Sequence, residues 1–429
     1  MPIPQLTAQV LLLCGVALSG IVLARILGRS FALTCVLVGF AFGQLLPWLE
    51  LDTGVRAGNF ADIIFYLLLP PLLFEAGWQL EPKLLRRWLP LILILALAGM
   101  LVATAVGAIA LYFGIAHADG FPLIAALLTA CLLAATDPIT VIQQLRSANA
   151  PQDLAVVIEG ESLFNDAAAV VLFGAILSFA LGNEDAGSTA GMILTFAVKF
   201  CGGLLCGVLA GAITTLVIRL APDQASVNLT LVLSAFSAFC ASEMLLHVSG
   251  VMAVIACALV TRAMLSENAP SAGQEKTPGC ALRKVTLPAQ ALESADDTLS
   301  WIGLLCNALL FSLMGLAFEP EMVEQRWLAM VLGILAALIA RAAAVYTCLA
   351  LTRRLRGDVL PWRYAPVLVW GGLRGAVTIA LALSLPTDLP YWWTIQSIAF
   401  GVVLFNLFFQ GPSNALLLNR AIAGRRNNR

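Results

Sequence analysis

The chain has 429 residues, 60% of them hydrophobic and 11% charged, with a formal net charge of −1. Soluble domains carry roughly 45–50% apolar and about 25% charged residues, so the composition points to an integral membrane protein and away from a soluble enzyme. The two histidines and ten cysteines form no CxxC or Cys/His cluster, which argues against a zinc site or a disulfide framework.

A spanning helix needs about 20 mostly apolar residues. In chain order, the apolar runs predict thirteen spans near 8–27, 30–48, 59–79, 88–115, 121–146, 154–181, 191–218, 227–246, 248–265, 300–317, 327–351, 363–385 and 393–417. The first run lacks a basic segment before it and reads as a span rather than a cleaved signal peptide. Between the ninth and tenth spans, residues 266–299 are polar and rich in Pro, Ser and Ala, and read as a loop. Residues 418–429 read as a short tail.

With the N-terminus outside, the loops on the cytoplasmic side and the tail hold 19 Lys and Arg residues. The outside loops hold Arg56 and Arg326 alone. That asymmetry is the positive-inside signature, and a wrong span count would scramble it. The expected setting is the plasma (inner) membrane, with the C-terminus cytoplasmic.

A charge at mid-bilayer costs about 2.5–3.5 kcal/mol even on lenient scales. Glu75, Asp137, Glu159, Glu161, Asp166, Lys199, Arg341 and Arg374 all fall within spans. The plain reading for such residues is an ion pair that fixes helix packing. Here, however, several sit beside helix breakers. The fifth span carries Thr136-Asp137-Pro138 near its middle, and Pro138 can donate no backbone hydrogen bond. The twelfth carries Gly371, Gly372 and Gly375 around Arg374. The two lie seven spans apart, an odd offset, so they run in opposite directions. Two inverted repeats, about 8–181 and 227–417 joined by the helix at 191–218, would place them so, and interrupted helices at matching places point to a transporter's binding site. Asp137 and Arg374 then offset the partial charges of the helix ends.

In the sixth span, Ser162 and Asp166 are four residues apart and share a helix face, with Asn165 beside them. A carboxylate and a hydroxyl are hard oxygen ligands suited to a small cation such as Na⁺, and a buried carboxyl can trade a proton for that cation. Glu161 lies about 140° round the helix from Asp166 and is the candidate partner of Arg341 in the eleventh span. Glu75 follows Pro70-Pro71 in the third span and reads as a second carboxylate of the site, a funnel residue, or the partner of a buried donor. Lys199 can snorkel outward, and Glu159 lies near water.

Taken in order, "PPLLFEAGW" (70–78), "ATDPI" (135–139), "EGESLFNDAAAVVLF" (159–173), "SGVMAVIACAL" (249–259), "FSLMGL" (311–316), "ARAAAVY" (340–346), "GGLRGAVTIAL" (371–381) and "FGVVLFNLFFQGPS" (400–413) resemble the NhaP-type sodium/proton antiporters, bacterial relatives of the animal sodium/proton exchangers. The resemblance implies an all-α membrane fold with crossed discontinuous helices at spans five and twelve. It also implies a homodimer that works by elevator-like alternating access, for pH and sodium homeostasis. It makes Asp166 the main cation and proton carboxylate, with Ser162, Thr136 and Glu75 completing a Na⁺ site, and Glu161–Arg341 a core ion pair. Asn165 before Asp166 implies exchange of one ion for one proton. The run Ala167-Ala168-Ala169 departs from the Gly-Thr-Gly of many members and loosens the expectation about ion preference.

The implied partners are a monovalent cation, the proton, membrane lipid and a second copy of the chain, with no nucleic acid and no cofactor. An aspartyl intramembrane protease using Asp137 and Asp166 is the enzyme rival, but its "YD" and "GxGD" signatures are missing. A potassium/proton antiporter remains the alternative within the fold. No GxxxxGK[ST] loop is present to drive a primary pump.

Overall fold

A computed structural model describes residues 3–49, 57–115, 120–148, 150–182, 189–266, 289–356 and 360–426. Most of the loop expected at 266–299, together with His117 and the last three residues of the tail, lies outside the described residues.

The described residues form eighteen α-helices, α1 (Ile3–Leu27), α2 (Phe31–Leu45), α3 (Ala57–Asp62), α4 (Leu69–Gln79), α5 (Pro82–Leu93), α6 (Met100–Gly114), α7 (Leu123–Ala134), α8 (Ile139–Ser147), α9 (Gln152–Ala180), α10 (Thr189–Leu220), α11 (Gln224–Cys240), α12 (Gly250–Ser266), α13 (Ala289–Leu316), α14 (Pro320–Arg356), α15 (Ala365–Trp370), α16 (Ala376–Leu383), α17 (Trp392–Phe405) and α18 (Gly411–Arg426). Nine helical segments among the described residues are long and apolar enough to cross a membrane. Three shorter apolar helices, α2, α7 and α12, join them. With the split pair α15/α16 they account for thirteen crossings. Exposed leucines and isoleucines on α1 (Leu11, Leu18, Ile26) and α10 (Ile193, Leu205, Leu209) give the bundle a hydrocarbon-facing exterior.

Several spans outrun the apolar run that predicts them. The fourth begins at Pro82 rather than near 88: a proline opens the helix, Lys83, Arg86 and Arg87 keep its first turns out of the apolar run, and Trp88 donates its ring N–H to Asp153 at 2.7 Å. The tenth begins at Ala289 rather than 300. Hydropathy fades there, but Trp78 and Arg262 both reach Asp296 on its early turns, at 2.6 and 3.3 Å. The last helix continues to Arg426. Four π-helical turns, Ile63–Leu68, Ile94–Gly99, Ala241–Leu245 and Asn406–Gln410, insert extra residues into otherwise continuous spans. Between the seventh and eighth spans Asp223 caps α11. The N–H of Ser226 donates to its carboxylate at 3.0 Å, and hydrogen bonds from Ser226 hold that carboxyl below its ordinary range.

The helices pack in two adjoining groups, one of α1, α2, α4 and α10–α13, the other of α5–α9 with α14–α18. In the first group α10 and α12 meet backbone to backbone. A Cβ at Gly203, Gly207 or Gly211 would strike the carbonyl of Ser249, Ala253 or Cys257, and small residues permit that approach between membrane helices. In the second group, α7 and α8 are halves of one span interrupted at 135–138. The helices α15 and α16 are halves of another, interrupted at 371–375. The two breaks cross and touch: Asp137 and Leu373 form an antiparallel bridge, with the Asp137 N–H donating to the Leu373 carbonyl at 2.7 Å.

Candidate functional site

Four helix ends meet at the crossing, each with backbone groups that no helical partner satisfies. At the C-terminal end of α7, the carbonyl of Leu132 accepts from the Thr378 hydroxyl at 3.1 Å. The next, Leu133, accepts from Arg374 Nε at 2.8 Å, and Ala134 accepts from Asn165 Nδ2 at 2.7 Å. Three side chains from two distant elements therefore close one helix end. At the end of α15 the Leu368 carbonyl accepts from Arg341 Nε and Nη2 at 3.2 and 3.1 Å, and the Trp370 carbonyl accepts from Gln410 at 2.7 Å. Each C-terminal end, where the helix dipole places partial negative charge, thus meets a guanidinium.

The N-terminal ends meet a carboxylate. Asp137 Oδ1 accepts from the Ile139 N–H at the start of α8, at 3.0 Å. The same carboxyl lies against the backbone of Gly375, which starts α16; a Cβ there would sit 2.6 Å from that of Asp137. Asp137 and Arg374 are each spent on backbone ends. Arg374 completes its set with the carbonyls of Gly372 and Ala337.

Asp166 stands on α9, the continuous helix behind the crossing. The backbone of Thr136, inside the break, faces its carboxyl. Its Oδ1 is buried and has no hydrogen-bond partner among the described residues. Thr136 Oγ1 pairs with the Ser162 hydroxyl at 3.0 Å and accepts from Asn165 Nδ2 at 3.3 Å. Ser162, Asn165 and Thr136 are all buried.

A cavity of about 270 Å³ reaches this point. Thr136, Asp137, Asp166 and Thr378 line it on the crossing side, and Glu75, Glu159 and Arg146 line it elsewhere. Of the expected cation ligands, Asp166, Thr136 and Glu75 border one space. Ser162 and Asn165 lie a layer behind, hydrogen-bonded to Thr136. Glu75 accepts from the Gln79 side-chain amide. Lys199, on α10, takes no part in the lining. Carboxylates and a hydroxyl are hard oxygen ligands, the kind that hold alkali and alkaline-earth cations.

Glu161 and Arg341 form a bidentate pair, 2.7 and 2.8 Å, with both side chains buried. Sequence reasoning assigns Arg341 to Glu161 alone, whereas the structure also puts its guanidinium on the Leu368 carbonyl. Thr378, Gln410 and Gln79 escape that reasoning altogether. Each is an uncharged polar residue with nothing in the sequence to mark it, and its partner lies far away in the chain or one turn along.

Residues 10–420 match the family described as sodium/hydrogen exchanger, transmembrane. The Na(+)/H(+) antiporter NhaP of Pseudomonas aeruginosa is 33% identical over 88% of this chain and 85% of its own length. For NhaH of Halobacillus dabanensis the identity is 32%, over 94% of each chain. ApNhaP of Aphanothece halophytica is 31% identical over 82% of this chain, but the match spans only 63% of that longer protein. Among solved structures, the sodium proton antiporter MjNhaP1 from Methanocaldococcus jannaschii superposes with a TM-score of 0.76 at 18% identity, over 97% of this chain and 99% of that one. At that identity the likeness is one of fold.

Proposed function

This chain belongs to the transmembrane sodium/hydrogen exchanger family, and from that membership we propose that it is a secondary antiporter that exchanges Na⁺ or Li⁺ for H⁺. The observation that carries the reading is Asp166, whose carboxyl borders the cavity at the crossing and keeps one buried oxygen without a partner. Such an oxygen is completed by a proton in one half of the cycle and by a cation in the other. Thr136 and Glu75 supply further oxygens from the same cavity, and Ser162 orients the Thr136 hydroxyl from behind. Asp137 and Arg374 hold the broken ends, and Glu161–Arg341 fixes α9 to α14. The engagement of Asp137 with the Ile139 N–H also weakens the protease rival, which needs two aspartates free to share one proton.

Asn165 cannot ionise, and its amide nitrogen is committed to the Ala134 carbonyl and Thr136. Only Asp166 then changes charge, which supports electroneutral exchange of one cation for one proton. The two packing groups support an elevator-type cycle in which α5–α9 with α14–α18 shift against the rest, in a homodimer set in lipid. We read the unit 1–417 as repeats 8–181 and 227–417 about α10, and we place the basic end of the bundle in the cytoplasm of a cell whose inner membrane it spans. There the exchange serves pH and sodium homeostasis.

The test is purified protein in liposomes loaded with a pH dye and challenged in turn with Na⁺, Li⁺ and K⁺. Proton movement driven by Na⁺ and Li⁺ is the expected result. Movement driven by K⁺ alone would select the potassium/proton alternative, and none with any cation would refute the assignment.

A further inference from the structure

Gln79 lies one turn beyond Glu75 on α4, at the mouth of the cavity. Both ends of its amide are in use. Nε2 donates to Glu75 Oε1, and Oε1 accepts from Arg146 Nη2 at 2.9 Å. The reverse orientation would set oxygen against carboxylate and NH₂ against guanidinium, so the neighbours dictate which way the amide points. Glu75 and Gln79 belong to one packing group, whereas Arg146 ends α8, the half-helix that leads away from the crossing in the other. Behind Glu75 on a third element stands Gly303 of α13, where a Cβ would fall 2.6 Å from the Glu75 carboxyl carbon. Arg146, Gln79, Glu75 and Gly303 all line the same cavity. Arg146 is exposed at that mouth, and a guanidinium beside a cation's path repels the cation, so its presence there needs a reason other than attraction of the substrate.

We propose that Gln79 is a positioning residue: it holds the Glu75 carboxylate and, through Arg146, ties that carboxylate to half-helix α8, so that a small monovalent cation reaches a correctly aimed Glu75 only while α4 and α8 keep this spacing. The proposal rests on the antiporter reading above, in which Glu75 is a cation ligand. It assigns Arg146 a mechanical role, and the sign of its effect separates that role from electrostatics. If Arg146 acts only as a charge, removing it takes a positive group from the cation's path and lowers the apparent KM for Na⁺. If it anchors Gln79, removing it raises KM.

The experiment measures KM and kcat for Na⁺-driven proton movement with the full-length protein in liposomes, with thermal unfolding as a check on folding. Gln79→Met and Arg146→Gln are each expected to raise KM about three- to tenfold, the scale of one hydrogen bond, and to leave kcat within about twofold. The double variant should be no worse than the poorer single, and Arg146→Lys, which can still donate to the Gln79 carbonyl, should stay near wild type. If Gln79→Met does not fold, Gln79→Asn, too short to reach both partners, is expected to give the same rise. A KM that falls or stays unchanged in Arg146→Gln, or losses that add in the double variant, would overturn the proposal. A wild-type protein without Na⁺-driven flux would instead refute the antiporter reading beneath it.

Discussion

At the scale of single residues, the charged groups around the crossing differ in how fully they are partnered. Arg341 makes two bonds to Glu161 and two to the Leu368 carbonyl; Arg374 makes three to backbone. Asp166 keeps a buried oxygen unpartnered. Asp166→Asn is therefore expected to abolish Na⁺-driven proton movement while the thermal unfolding temperature stays near that of the wild type, since no hydrogen bond to that oxygen is lost. Retained flux in the purified variant would remove Asp166 from the mechanism. Glu161→Ala and Arg341→Ala should behave in the opposite way. Each leaves a buried charge unpaired, at a cost of about 3–5 kcal/mol, and the double variant should be no less stable than either single. Two additive losses would show that the pair is not a thermodynamic unit.

At the scale of elements, what counts is how an interrupted helix is made tolerable inside a membrane. Unsatisfied backbone groups there cost several kcal/mol each, and broken helices persist only where protein or water satisfies them. The end of α7 is covered by Thr378, Arg374 and Asn165, so Thr378→Val, nearly the same shape without the hydroxyl, isolates the contribution of the Leu132 carbonyl. A loss of about 1–3 kcal/mol is expected, read from denaturant or thermal unfolding in detergent. No change would mean that another group already serves that carbonyl. The breaks themselves were legible in the sequence, because Pro138 and the glycines around Arg374 announce them by chemistry that acts locally. The side chains that close them were only partly legible. Asp137 and Arg374 stand out as charges in apolar runs, and the opposite polarity of the helix ends suggests what each does. Thr378 and Gln410 do not stand out, since a single neutral polar side chain carries no charge to mark it within an apolar span. The π-turns also stay hidden, because one inserted residue hardly disturbs an apolar run that is hydrophobic all round.

At the scale of the whole molecule, the expected exchange of one cation for one proton moves no net charge. The rate of Na⁺-driven proton movement should then be insensitive to an imposed membrane potential, since the field does no work on a neutral cycle. Liposomes clamped with valinomycin at several potassium gradients test this, once the protein itself is shown not to carry potassium. A rate that climbs steeply with potential would mean a second exchanged proton, with Glu75 or Asp137 as its carrier.

The covering of α7 also bears on how the protein is made. Leu132 and Leu133 are synthesised long before the side chains that satisfy them, which follow 246 and 241 residues later in the chain. At about 5–20 residues per second, the first broken helix waits on the order of ten to fifty seconds before Arg374 and Thr378 exist. Through that interval its open carbonyls must be served by water, lipid headgroups or the insertion machinery, and the first half cannot reach its final form alone. Expressed as two fragments divided within 267–288, the protein should accumulate in the membrane only when both are made in the same cell. An N-terminal fragment that is stable and protease-resistant on its own would show that the end of α7 finds other donors.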